Sequence, residues 1–525
     1  MAELTQSTQK LIRGYQEWYQ ALQPKEGVAT LHVDEVVSRV AAFYEKMKGV
    51  IDWREEHLLR KTAIGRTLKR RLLLKKDGKA MAESFIYELI RGGHFPNDFI
   101  PETKIQEIQK IIDKYIFIIE NSPSPPKEKK KFELHDWLLG IAACEVEETL
   151  AHPLREKALM DYMQEIMEER IRVREGILVI GGLSGEEKNT QIYIAIQRAL
   201  FKLDPPLISY HLLKRGKIGL EELTRNIYLI WEKIEKELKH PLADKFYNIC
   251  ERYDTPYLLL GDIISKNPME AKEKISQPET LEDLIKENYN RRLKTLKSRL
   301  GRAAIYATVS IFLSNILALL AIEIPLTNVI GKFNPLTIVV DILGPTFLMF
   351  FLVITIKPPQ KGNFEQAVME VMKIVYERER KDVYDVKKPK KRGFILNAII
   401  TILYLLAAAI SFGLIIWGLS QINFPLFSYV VFIVFISLIA FAGAKIRERS
   451  KELQVTEEKG TLLDFFIDLF SLPILRLGKW LSARFAKYNV IMVLLNSFID
   501  MPFQVFVEFL EQWRSFLKEK KEEIH

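Results

Sequence analysis

The chain runs to 525 residues, more than one ordinary soluble domain, and its 48% hydrophobic content averages an apolar block with a highly charged remainder. Its two cysteines, Cys144 and Cys250, exclude a disulfide framework and a Cys-rich zinc site, and they suit a reducing compartment. The net charge of +9 is concentrated in basic clusters beside apolar stretches, which removes most of its weight as a sign of nucleic-acid binding.

Met1 to Thr30 is polar and mixed in charge, without an apolar h-region, so no cleavable signal peptide is expected. From there the periodicity is helical. Val33, Val36, Val37, Val40 and Ala41 fall near one face, and Ile105, Ile108, Ile111, Ile112 and Tyr115 repeat the pattern. Residues 1–120 read as an N-terminal helical domain. The stretch 121–131, with three prolines and a charge run, reads as a linker. A second helical cytoplasmic domain is expected over 132–300, with helices near 133–150, 154–174, 186–203, 219–238 and 242–252. The run 280–300 should be a charged helix leading into the first apolar segment.

Three constellations here invite a chemical reading. Arg60 to Lys79 holds nine basic residues and one acid, Asp77; Leu68, Leu72, Leu73 and Leu74 make it amphipathic. Arg60, Lys69, Arg70 and Arg71 are therefore candidate contacts for lipid headgroups or a protein partner. Nucleic acid is not expected, because no aromatic residue interleaves with these charges. Gly181-Gly182-Leu183-Ser184-Gly185 evokes a phosphate loop but fits neither GxxxxGK[ST] nor GxGxxG; Ser184 and Glu187 read instead as a capping box. Cys144, Glu148 and His152 share a helix face but spread over ~12 Å, too far for one metal. No HExxH, GxSxG or kinase-type set is present, and no cofactor, metal or catalytic residue is expected.

The second half carries four apolar segments, 303–320, 336–356, 394–419 and 426–444, whose only charge is Asp341. Each approaches or exceeds the ~20 residues a helix needs to cross a ~30 Å hydrocarbon layer. Before the first, between the first two outer ends, and between and after the rest, the basic residues are lopsided. Twenty-one Lys and Arg, among them Arg291 and Arg292, fall in 291–302, 357–393 and 445–451, against Lys332 alone in the other connections. The positive-inside rule reads this as two hairpins with both termini cytoplasmic, in a cell membrane. Residues 301–445 are thus expected to be a four-helix transmembrane block. A cytoplasmic amphipathic helix should occupy 364–380, where Phe364, Val368, Val371, Met372 and Val375 recur at helical spacing.

Asp341 lies about 7 Å into the second segment, with Gly344-Pro345 beyond it. Buried carboxylates in spans often mark ion paths, so Asp341, with Asn315 as a hydrogen-bonding neighbour, is a candidate intramembrane site. Over 446–525 the chain is expected to be a cytoplasmic amphipathic region. There Asp464, Asp468, Asn496, Asp500, Gln504 and Glu508 form polar stripes, and Lys479, Arg484 and Lys487 are candidate headgroup contacts. The fold class is all-α. The expected function is a membrane-anchored scaffold or adaptor with a cytoplasmic protein partner and anionic lipid contacts. A homo-oligomeric channel or transporter and a lipid-acting enzyme are the alternatives.

Overall fold

Local chemistry sets the helix boundaries. The Ser184 hydroxyl accepts from the Glu187 N–H at 3.1 Å while the Glu187 carboxylate accepts from the Ser184 N–H at 2.7 Å, the expected capping box. Asp204 caps the next helix, whose first positions are Pro205 and Pro206. His152 and Lys202 end their helices in the left-handed region, at φ 46° and 51°.

In the computed structural model, the residues described are 2–23, 27, 29–33, 56–74, 78–123, 125, 127–173, 184–318, 335–354, 362–377, 382–386, 393–422, 426–455 and 462–488, with Phe509, Trp513, Phe516 and Leu517. The expected helix at 33–47 and the stripe at 496–508 fall almost wholly outside them. The described chain is all-α apart from one two-stranded pairing, and it divides into two compact units.

The first unit draws on Met1–Glu282, Glu370–Lys388 and Asn496–His525. Its helices are α1 (Gln6–Ala21), α2 (Glu56–Leu74), α3 (Ala82–Arg91), α4 (Thr103–Asn121), α5 (Glu128–Ala151), α6 (Leu154–Arg170), α7 (Gly185–Phe201), α8 (Pro205–Gly216), α9 (Leu220–Leu238), α10 (Ala243–Arg252), α11 (Asp254–Lys266) and the short α12 (Ala271–Ile275). Central α5 buries Leu138, Ile141, Ala142, Cys144 and Val146, and packs against α2, α4 and α8. The Pro-rich stretch expected as a linker over 121–131 shortens to 122–127, because Glu128–Lys131 open α5, and α4 and α5 on either side of it pack together within this unit.

The helix expected over 154–174 stops at Arg170. Ile171–Val173 forms β1, which pairs in parallel with β2 (Tyr384–Val386). Two of its three residues are β-branched, and its partner lies 213 positions away between Ile171 and Tyr384. A local window cannot see such a pairing.

The second unit draws on Asp283–Met369 and Pro389–Leu495. It holds most of α13 (Pro278–Ala318), α14 (Pro335–Ile354), the start of α15 (Gly362–Tyr376), α16 (Phe394–Ser420), α17 (Leu426–Ser450) and α18 (Leu462–Tyr488). As expected, the charged run 280–300 continues into the first apolar segment as one helix. Phe394–Ser420 and Ser428–Ser450 are long and apolar enough to cross a membrane, with mean hydropathy 2.6 and 2.3; Val339–Leu352 is a shorter apolar helix. Met349, Ile439 and Ile446 form a small core with Leu300, Ala307 and Ile311 around it. Gly443 lets the Leu352 side chain approach closely, 3.1 Å from where a Cβ would stand.

The α18 helix packs against α16 and α17. The Ser411 hydroxyl donates to the Phe470 carbonyl at 2.7 Å, and the Arg476 guanidinium sits 4.7 Å from the Tyr404 ring. A Cβ on Gly478 would overlap the Ser437 carbonyl oxygen. Residues 404, 411 and 437 lie near the middle of their helices, so α18 packs along the central part of α16 and α17. A wide apolar face looks the same in sequence whether lipid or another helix covers it.

Candidate functional site

Two clusters in the first unit concentrate its buried polar chemistry. In the first, α2 presents its cations to α3, α5 and α8. Arg60 Nη2 lies 2.9 Å from Glu147 Oε1, and Lys61 pairs with Asp204. Arg71 meets Glu88 at 2.8 Å, Arg70 meets the same carboxylate, and exposed Lys69 meets Asp136 at 2.8 Å. All four sequence candidates on this helix therefore have intramolecular carboxylate partners. On α5, Glu148 receives His211 and Lys214, the latter at 2.8 Å.

Burial pushes the Glu147 carboxyl up to about 7 against the pull of Arg60. Burial also opposes the Glu148 carboxylate, but hydrogen bonds from His211 and Lys214 hold it below the usual range. His57, buried among cations as well as carboxylates, is pushed down to about 4. The Cys144 thiol is fully buried and raised well above its ordinary value, which makes it a poor nucleophile. Of the three residues sharing a face on α5, Glu148 is engaged by α8 and His152 forms the C-cap. Among the described residues no group of His, Cys, Asp or Glu is placed to hold a metal ion.

The second cluster seats residues 370–377 and 382–386. Arg170, 1% exposed, donates from Nη1 to the Tyr384 hydroxyl at 3.3 Å and lies 3.9 Å from Glu370. Tyr384 stacks on Tyr253 with centroids 4.3 Å apart. The Thr5 N–H donates to the Val375 carbonyl at 3.1 Å, and the Tyr162 hydroxyl to the Ile374 carbonyl at 2.9 Å. The helix expected over 364–380 is present as α15, with Ala367, Val371, Ile374 and Val375 buried.

In the second unit a node forms around Asn363, which is 2% exposed. Its Nδ2 donates to the Tyr289 hydroxyl at 3.0 Å and to the Leu453 carbonyl, and its Oδ1 accepts from the Val455 N–H at 2.6 Å. Tyr289 also meets the Phe364 ring edge-on at 5.4 Å. Asp341 is 8% exposed within α14; Asn315 lies on α13, its side chain outside the described residues. Arg291 contacts Asn288, and Arg292 is half-buried. Lys479 and Arg484 are exposed on α18, Arg484 standing 5.6 Å over the Trp480 ring; the Lys487 side chain is outside the described residues.

Arg170, Tyr384, Tyr289 and Asn363 escaped the sequence reading. Each is an ordinary polar residue until a distant segment meets it, and no spacing signals that. No protein-family model, curated protein or solved structure matches this chain.

Proposed function

We propose that this is a multi-pass membrane protein with four crossings and both termini cytoplasmic, whose helical unit serves as a membrane-anchored scaffold or adaptor for a cytoplasmic protein. The Asn363 node is the observation that carries the topology. It joins Tyr289, before the first apolar segment, to Asn363, after the second, and to Val455, after the fourth. Points on one side of a bilayer are joined by an even number of crossings. Two crossings between Tyr289 and Asn363, and two between Asn363 and Val455, satisfy that parity. The twenty-one-to-one basic bias assigns the shared side to the cytoplasm.

The scaffold reading rests on how the first unit is assembled. Its residues come from before the first apolar segment, from between the second and third, and from the C-terminal 496–525, so the chain passes between the two units at 282–283, 369–370, 388–389 and 495–496. Several chain connections hold a helical unit at the membrane more firmly than one, which suits a platform for a partner. Purification of the full chain in mild detergent with crosslinking and mass spectrometry tests this. A reproducible cytoplasmic partner crosslinked to residues of 1–282 supports it; a lone homo-oligomer that conducts ions or solute in vesicles overturns it.

A channel or transporter built on the apolar helices is the second reading. Asp341 favours it, being a buried carboxylate one turn from Gly344-Pro345 in an apolar helix. Asp341→Asn should abolish flux if that reading holds, and leave a scaffold's partner binding intact.

A further inference from the structure

The cations of α2 and those of α13 differ in one respect that matters for binding. On α2, Arg60, Lys61, Lys69, Arg70 and Arg71 each meet a carboxylate. On α13, Arg299 and Arg302 are exposed, and among the described residues neither makes an ion pair. No acidic residue occurs between Asn290 and Glu323 to neutralise them along the chain.

Helical geometry places these two arginines on one stripe. Steps of three and four residues join Arg299, Arg302, Tyr306, Val309 and Leu313. Tyr306 is 41% exposed, Val309 49% and Leu313 54%. Leu300, Ala307 and Ile311 occupy the other side of the helix, against Met349, Ile439 and Ile446. The stripe therefore faces away from the packed core, with two guanidinium groups at one end and an apolar run at the other. From Arg302 to Leu313 the helix rises roughly 16 Å, about half of a ~30 Å hydrocarbon layer.

A phospholipid has the same division along its length. Guanidinium groups match phosphate oxygens in a two-pronged geometry, and a tyrosine suits the boundary between headgroup and chain. We infer that Arg299, Arg302, Tyr306, Val309 and Leu313 form a binding stripe for an anionic glycerophospholipid of the cytoplasmic leaflet. The arginines hold the headgroup phosphate, and the apolar residues line an acyl chain. This rests on the proposed topology, which sets residues 299–302 at cytoplasmic headgroup level.

The test uses the full-length protein reconstituted in mixed phosphatidylcholine and phosphatidylglycerol vesicles, re-extracted, and examined for retained lipid by native mass spectrometry. Wild type should retain phosphatidylglycerol in preference to phosphatidylcholine. Arg299→Gln with Arg302→Gln should lower that preference by roughly tenfold or more. Lys294→Gln with Lys297→Gln removes the same charge from other faces of α13 and should leave the preference intact. Equal losses in the two double variants would show diffuse attraction and overturn the stripe, as would an unchanged preference in the arginine variant. Displacement of the lipid by inorganic phosphate alone would reduce it to a plain anion site and also overturn it. Alkaline carbonate extraction is run in parallel: release of wild type from the vesicles would remove the membrane-spanning reading, whereas retention with no lipid preference would remove only the stripe.

Discussion

The backbone N–H of Val455 donates to the side-chain Oδ1 of Asn363 at 2.6 Å, across 92 positions of sequence. Between them lie the two helices that, among the described residues, are long and apolar enough to cross a membrane. Where those two helices cross a bilayer, this bond requires them to cross it as a pair, which is the parity that the proposed topology contains.

Topology should be measurable by labelling engineered cysteines. Both natural cysteines are buried, so background labelling should be low. Cysteines at Thr327 and Gln421 should react with a membrane-impermeant reagent added outside; those at Glu365 and Glu452 should react only after the membrane is opened. Outside labelling at Glu365 would sink the four-crossing arrangement.

Asn363→Ala should destabilise the second unit by about 1–3 kcal/mol, because the Val455 N–H and the Leu453 carbonyl lose a buried partner. Asn363→Asp keeps the acceptor for Val455 but sets a buried carboxylate against the Leu453 carbonyl, and should cost at least as much. Thermal unfolding in detergent reads both.

Residues 370–386 should behave as part of the helical unit. Arg170→Met removes the donor to the Tyr384 hydroxyl and the more distant of Glu370's two cations, Lys373 remaining at 2.9 Å, and should cost about 1–3 kcal/mol. Tyr384→Phe removes one hydrogen bond and should cost about 1 kcal/mol. Slow amide exchange across Val371–Tyr376 is expected in wild type and faster exchange in Arg170→Met; equally rapid exchange in both would contradict the docking.

Stability should vary little with pH where two buried groups oppose each other. Between pH 4.5 and about 7 the folded chain keeps a proton on Glu147 that the unfolded chain has released, so rising pH removes stability. Between about pH 4 and 6.5 the unfolded chain holds a proton on His57 that the folded chain lacks, so rising pH adds stability. His57→Gln should expose the first slope, with stability falling from pH 4.5 to 7; Glu147→Gln should expose the second, rising from pH 4 to 6.5. Each change is at most about 3 kcal/mol. Unfolding midpoints across that range that are flat in both variants would refute the assignment.

Gly478→Leu should dislodge α18, since any side chain there meets the Ser437 carbonyl and stands 2.9 Å from the Phe441 Cβ. Loss of a crosslink between cysteines placed at Ser411 and Phe470 would report it. A helix lying free on the membrane surface would tolerate the change.

What the sequence alone determined is what local physics encodes. Apolar run length marked the helices at Phe394–Ser420 and Ser428–Ser450, and the helical period located α4, α5, α7, α9, α10 and α15 within a few residues. The Ser184–Glu187 capping box was legible because both partners lie within one turn. Among the candidate site residues, the sequence identified the cations of α2 but could not show that Glu147, Glu88 and Asp136 neutralise them. Tertiary structure alone decided that, and with it the exchange of the end of a helix for β1, the seating of Tyr384 on Arg170, and the meeting of Tyr289, Asn363 and Val455. The reason is the same in each case. A hydrogen bond or ion pair between distant segments depends on where the whole chain brings them, and neither residue type nor spacing carries that information.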